Sequence, residues 1–378
     1  MWLVLTLVVV LVAAGVAVWF TLRNDESPSA GGREMAADEG CSGDYCVGRY
    51  AYVNACGVLD PGSAAARIGP IGNDGLLVQE TFADPLPPVD AEAAPSWTYG
   101  TRSSCHISPN DYEEAVFRSL TLELQQYGED GVVEEEPAEE GRALPGAEGV
   151  AVRDGDGGAE VFGWTRNTRF RLNLVWGNRK AAIPDATLAS LVDAVVKGVV
   201  DGPGAAAELG TLRQDGRPVV VDACTVFTGA DFQDAVDHVV DPTNVDRTYG
   251  TLLTGPITSR CRRTTAAAGR GLPVPEGTTH LDGALSPNVT VTPHPDAAAA
   301  RAALAADRRR LAGAVDIPGL GDGAVFGTNT SLFSLEFTTG FHQVRIDCGL
   351  TNGTSDWTPD DVRARLEPIA AAVLARMP

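Results

Sequence analysis

Val53-Asn54-Ala55-Cys56-Gly57-Val58-Leu59-Asp60 and Val221-Asp222-Ala223-Cys224-Thr225-Val226-Phe227-Thr228 are two versions of one string. Each runs from an apolar residue through a short polar residue able to cap a helix, then Ala and Cys. A short stretch of helical character follows each, PGSAAARIG after the first and ADFQDAVDHVV after the second. In the second stretch Phe232, Ala235, Val236, Val239 and Val240 fall on one face at i, i+3, i+4 spacing. A further cysteine then comes in each, Cys105 and Cys261. Recurrence in the same order reads as one domain copied once.

Working outward, the copies stay in step. Leu120, Leu122 and Leu124 alternate with Thr121 and Glu123; Val289 and Val291 alternate with Thr290 and Thr292. Alternation of this kind marks a strand with one wet face. The copies then diverge. An acidic loop, GEDGVVEEEPAEEG, stands in the first where DAAAARAALAADRRRLAGA, a good helix former, stands in the second. They meet again at Ile317-Pro318-Gly319-Leu320-Gly321-Asp322 followed by Ala324-Val325-Phe326-Gly327. This aligns with Asp156-Gly157 followed by Glu160-Val161-Phe162-Gly163. A hairpin comes next, with Phe170, Leu172, Leu174 and Trp176 pointing one way in the first copy. In the second copy Phe333, Leu335 and Phe337, then Val344, Ile346 and Cys348, take that part, which sets Cys348 against Trp176. Both copies close on an amphipathic helix. The first opens at Pro184-Asp185 and carries Leu188, Leu191, Val192, Val195, Val196 and Val199 inward. The second opens at Thr358-Pro359-Asp360-Asp361, a cap, a first-turn proline and two acids at the positive helix end.

These patterns predict an α+β fold: an N-terminal transmembrane helix followed by two similar domains, each a small antiparallel sheet with packed helices and a disulfide. The first domain spans 41–200 and the second 218–378, joined by a Gly-rich linker at 201–217. Residues 24–40 (NDESPSAGGREMAADEG) read as a flexible stalk. Residues 2–22 carry no charge and are mostly Val, Leu, Ala and Gly. As a helix they would be roughly 31 Å long, enough for a hydrocarbon core of about 30 Å. The run is longer than the core of a cleaved signal and lacks a basic start, so residues 1–23 read as an anchor and the membrane as a first partner. Seven cysteines suit an oxidising compartment and place the bulk of the chain outside the cytoplasm. A net charge of −21 argues against nucleic acid as a partner. Lys180 and Lys197 are the only lysines, a bias that with the Ala and Gly content suits a GC-rich actinobacterial genome.

The order cysteine, short helix, second cysteine, strand, Gly-Leu-Gly-Asp-x-Ala turn, hairpin and final helix resembles a family of actinobacterial envelope lipoproteins of unknown function. The resemblance covers most of the second copy and less of the first, where the Gly-Leu-Gly-Asp turn is degraded. It implies a place at the cell envelope and paired cysteines in each copy. The chain departs from the family in being duplicated and in carrying an apolar helix where a lipid-modified Cys is expected. Repeat and resemblance together predict Cys56–Cys105 and Cys224–Cys261. Cys41 and Cys46 are close enough for a local bridge, which leaves Cys348 a buried free thiol; Cys46–Cys348 with Cys41 free is the alternative.

Little in the sequence carries chemistry. His106, His238, His280, His294 and His342 stand in no metal or catalytic motif, and CSGDYC lacks a second pair at zinc spacing. There is no P-loop, dinucleotide fingerprint or G-x-S-x-G elbow. Glu134-Glu135-Glu136 and Glu139-Glu140 form the charge run of a solvated loop. Asp154-Gly155-Asp156-Gly157 lacks the further ligands of a calcium loop and reads as a tight hairpin turn. The sequence therefore predicts no catalytic residue, no metal and no cofactor. It points to a non-enzymatic binding or assembly module at the cell envelope, taking an unknown envelope protein or small ligand. An extracytoplasmic carrier or sensor of a small apolar ligand is the second reading, and an unrecognised hydrolase the third.

Overall fold

The computed structural model describes residues 46–47, 50–68, 76–82, 101–109, 117–127, 141–176, 183–201, 220–236, 240–250, 257–265, 285–329, 332–350 and 357–378. Residues 2–22, the 24–40 stalk, linker residues 202–217, Cys41, His238, His280 and the glutamate run at 134–140 lie outside them. Among the described residues no helix is long and apolar enough to cross a membrane. The transmembrane span expected from the sequence is thus not found there, and the segment on which that expectation rests is not part of what is described.

The first copy begins with a ribbon of β1 (Cys46–Val47) and β2 (Tyr50–Ala51). The helices α1 (Ala55–Val58) and α2 (Pro61–Ile68) follow. Then come β3 (Leu76–Phe82), β4 (Thr101–Pro109), β5 (Phe117–Gln126), β6 (Arg142–Ala143), β7 (Ala151–Gly155), β8 (Gly158–Thr165) and β9 (Thr168–Trp176), and it closes on α3 (Asp185–Asp201). The second copy has α4 (Ala223–Val226), α5 (Gly229–Val236), β10 (Val240–Gly250), β11 (Thr258–Thr265) and β12 (Leu285–Pro293). It continues through α6 (Ala297–Arg308), β13 (Ala312–Asp316), β14 (Gly323–Asn329), β15 (Leu332–Thr339) and β16 (His342–Leu350) to α7 (Pro359–Arg376). The cap residues of the repeated string do what their chemistry allows. Asn54 Oδ1 accepts from Gly57 N–H at 3.0 Å, and Asp222 Oδ1 accepts from Cys224 N–H at 2.9 Å. Val240, expected on the face of a helix, instead opens β10.

β3 to β16 form one antiparallel sheet of 14 strands, in the order β13-β14-β15-β16-β12-β11-β10-β3-β4-β5-β9-β8-β7-β6. This corrects the expectation of two separate small sheets. Each copy contributes seven contiguous strands, arranged identically when read outward from the centre, and β3 pairs with β10 at the seam. The seam escapes a sequence reading because β10, VDPTNVDRTYG, is polar, contains Pro242 and shows no apolar alternation.

Register fixes which residues correspond. Cys105 faces Leu122, which faces Leu172; Cys261 faces Val289, which faces Ile346. Two residues further along each strand, Cys348 therefore corresponds to Leu174, not to Trp176. The turn between β13 and β14 corresponds to the one between β6 and β7. Ile317-Pro318-Gly319-Leu320 thus answers to Leu144-Pro145-Gly146-Ala147, one hairpin earlier than the Asp156-Gly157 turn. Gly319 and Gly146 share a left-handed φ, 80° and 83°, which explains the common glycine.

One face of the sheet carries the alternating apolar rows, and α1 to α5 and α7 lie on it. Two apolar clusters result, one mainly from each copy. They trade an aromatic across the seam: Tyr249 of β10 joins the first cluster, and Phe82 of β3 packs against the second. The opposite face is polar, and α6 lies over the β14–β16 end of it.

Candidate binding cleft

α6 is built from DAAAARAALAADR. Asp296 caps it, Oδ1 accepting from Ala299 N–H at 2.8 Å. Alanine favours the helix and leaves a slim rod without an apolar stripe. It cannot bury much surface, and it rests on the outward-facing side of β14, β15 and β16. Between helix and sheet is a cleft of about 400 Å³, lined by Thr258, Thr290, Thr292, His294, Ala303, Ala306, Asp307, Arg310, Gln343 and Arg345.

Its floor is a connected set of charges and amides. Gln343 Nε2 donates to Asp307 Oδ2 at 2.7 Å and to Glu336 Oε2 at 2.9 Å, while Gln343 Oε1 lies 3.1 Å from His294 Nε2. Arg310 pairs with Asp307. Arg345 reaches Glu336 at 3.4 Å and Asp307 at 3.7 Å. Ser334 Oγ donates within 3.3 Å of Glu336 Oε1 and 3.0 Å of Asp347 Oδ1. Asp307, Glu336 and Gln343 are buried, whereas the two arginines reach the surface. Burial pushes the Glu336 carboxyl above the usual carboxylate range, and Asp347 adds to this. Arg345, Gln343 and Ser334 pull the other way and only partly offset it. None of this set was singled out from the sequence except His294 as one of five histidines. Asp307 comes from α6 and Arg310 from just beyond it, His294 follows β12, and Ser334, Glu336, Gln343, Arg345 and Asp347 come from β15 and β16; only alternation on those two strands hints that Glu336, Gln343 and Arg345 share a face.

The cysteines are placed differently. Cys56–Cys105 and Cys224–Cys261 are bonded, with Cα atoms 4.9 Å apart in both. Loops of this length are worth about 4 kcal/mol each in the chain-entropy account. Beside each bridge a buried serine accepts from the residue before the helix cysteine: Ala55 N–H to Ser103 Oγ at 2.8 Å, Ala223 N–H to Ser259 Oγ at 2.9 Å. The recurring Ser-x-Cys at Ser103/Cys105 and Ser259/Cys261 is a signal the sequence reading passed over. Cys348 is a buried free thiol whose pKa burial drives up to about 12. Cys46 lies on β1, and its possible partner Cys41 is outside the described residues. His106 Nδ1 is 2.8 Å from Thr121 Oγ1, with its pKa lowered by burial, and His342 is buried at the start of β16. Asp154, in the stretch resembling a calcium loop, is held by Arg142 Nε at 2.5 Å, and the same arginine reaches Asp185 at 2.7 Å.

No protein-family model and no curated protein matches the chain. Among solved structures, the crystal structure of the di-domain ARO/CYC StfQ from the steffimycin biosynthetic pathway is similar at 12% identity. The match covers 85% of this chain and 94% of that one with a TM-score of 0.14. A likeness of that size carries no argument about fold or activity.

What the cleft can do follows from its own chemistry. Its acids and bases are linked to each other, Asp307 and Glu336 both meeting Gln343 and Arg345. Among the described residues no three His, Cys, Asp or Glu groups are placed to hold a metal ion. Threonine hydroxyls, the His294 ring and the outer edges of two guanidinium groups are the groups it offers to a ligand.

Proposed function

We propose that the protein is a non-enzymatic binding module that works outside the cytoplasm and takes a small polar ligand in the cleft beneath α6. The observation that carries this reading is the linked charge network of the floor. Asp307, Glu336, Gln343, Arg310 and Arg345 are tied to one another, and Thr258, Thr290, Thr292 and His294 stand beside them at the cleft wall. A volume of about 400 Å³ lies within the range of small-molecule sites. Two disulfides support an oxidising location, and the resemblance to envelope lipoproteins agrees with it.

The test is isothermal titration of the full chain with glucose, gluconate and tartrate, and with a medium-chain fatty acid as the apolar control. Saturable binding of a polar probe is expected, and loss of it in Ala306→Trp, which fills the cleft, while the melting temperature of the free protein stays the same. Binding of the fatty acid alone would sink the reading in favour of the carrier. Turnover of an ester or phosphoester that disappears in Glu336→Gln would sink it in favour of the hydrolase.

A further inference from the structure

Glu80 on β3 and Arg247 on β10 occupy the same position of the repeat, since each stands opposite the strand cysteine of its own copy, Cys105 and Cys261. They also stand opposite each other. The axis relating the two copies therefore passes between them. On either side Phe82 faces Val245 and Tyr249 faces Val78, equivalent pairs once more. A twofold axis sets every residue on it against its own equivalent. At this point the equivalents carry opposite charge.

The contact is close and out of water. Arg247 donates to Glu80 Oε2 through Nε at 2.7 Å and again through Nη2, and through Nη1 to Asp222 Oδ2 at 2.5 Å. The Glu80 side chain is 1% exposed and that of Arg247 15%. The caps follow the same logic: acidic Asp222 stands in the arginine's copy, and in the glutamate's copy the equivalent cap is neutral Asn54. Glu80 Oε1 is buried without a hydrogen-bond partner among the described residues. A buried pair left partly unsatisfied gains little stability over an apolar one, so its value lies in what it forbids.

What it forbids can be read from the register. Were β3 to pair with β3 of a second molecule, Phe82 would again face a valine, Val78 in place of Val245. Thr81 would exchange its hydrogen bond to Asp246 for a place opposite Gln79, and the central position would become Glu80 against Glu80. Pairing β10 with β10 would set Arg247 against Arg247. Like charges in a seam this dry are strongly unfavourable. We propose that the β3–β10 seam is a charge-coded interface whose edges accept only the unlike copy. The partner of β3 is a β10, within the chain or from a second copy of this chain, and pairing of like with like is rejected by Glu80 and Arg247.

The experiment uses the full chain in three forms: Glu80→Arg, Arg247→Glu, and the exchange E80R/R247E with D222N to spare the new glutamate an acidic neighbour. Light scattering after size exclusion and thermal unfolding are the readouts. Each single change is expected to lower the melting temperature by about 5–10 °C, and neither variant should pair with itself through the seam, since both of its strands then carry one sign. The exchange should restore most of the melting temperature, because it rebuilds an unlike pair with the signs reversed. Mixing the two single variants should give a 1:1 mixed species that neither forms alone, since an arginine edge then meets a glutamate edge. The proposal is overturned if the single variants melt as the parent does, or if either self-associates as readily as the mixture. It is equally overturned if the exchange is as damaged as its parts combined.

Discussion

Gly163 on β8 faces Phe170 on β9, and Phe337 on β15 faces Val344 on β16. By register these are the same site in the two copies, filled in opposite ways. In the first the ring stands on the later strand, and a Cβ added to Gly163 would lie 2.3 Å from its Cζ. In the second the ring stands on the earlier strand and a valine faces it. Phe170, Phe337 and Val344 are fully buried, so neither site can relax towards solvent. Phe170→Val alone leaves a cavity and should cost about 2–4 kcal/mol. Gly163→Phe alone puts two rings where one fits and should cost about 3 kcal/mol or more. Together, G163F/F170V rebuilds the second copy's pair in the first. Its cost should fall below that of either single change, a coupling of about 2–3 kcal/mol or more in its favour. Urea unfolding of the four proteins with disulfides intact measures this. If the double variant loses the sum of the two single losses, the two sites are not equivalent and the strand correspondence is wrong.

The Glu336 carboxyl is held above its unfolded value, so the folded state binds that proton more tightly; its contribution to stability improves as pH falls through the raised value and is lost above it. Glu336→Gln should therefore gain on the parent as pH rises from the ordinary carboxylate range through the raised folded value, and a difference in unfolding free energy that does not change with pH would count against the burial argument. Arg166 turns the β8–β9 hairpin at φ 52°, where the equivalent residue is Gly340 at φ 56°. Arg166→Gly should add about 0.5–1 kcal/mol in thermal unfolding; a lower melting temperature would show that contacts of the arginine outweigh its backbone strain. The Cys348 thiol, pushed to about 12, should resist iodoacetamide in the native protein and react once urea unfolds it, so prompt native labelling would contradict its burial.

Residues whose role is set by near neighbours were legible in the sequence. The repeated Ala-Cys strings, the alternation at Leu120–Leu124 and Val289–Val291, and the inward face of α3 lead to elements found close to where they were expected. What failed depended on partners far along the chain. β10 must satisfy a neighbour on each side at the centre of a wide sheet, and its Asp246, Arg247 and Thr248 answer to β3 rather than to any local period. The turn was misaligned because its counterpart, Leu144-Pro145-Gly146-Ala147, lacks the Gly-Asp pair that the next hairpin carries at Gly155-Asp156, and only pairing register tells Gly146 from Gly157. The cleft was hidden for a related reason. An alanine-rich helix announces that it is a helix but not which surface it will cover, and Asp307 meets Gln343, 36 positions further along the chain.

The seam joins a strand of seven residues to one of eleven, and these are the innermost strands of the two copies. The strands left at the outer margins are short. β6 has two residues, while β13 has five and slips register between Ala312 and Val315. Short, kinked margins are poor templates for further pairing. Duplication has thus consumed the extendable border of both units and produced a finished object. A third unit fused to this chain would find no border to continue and would hang beside the sheet as a separate bead, so the architecture counts to two and stops.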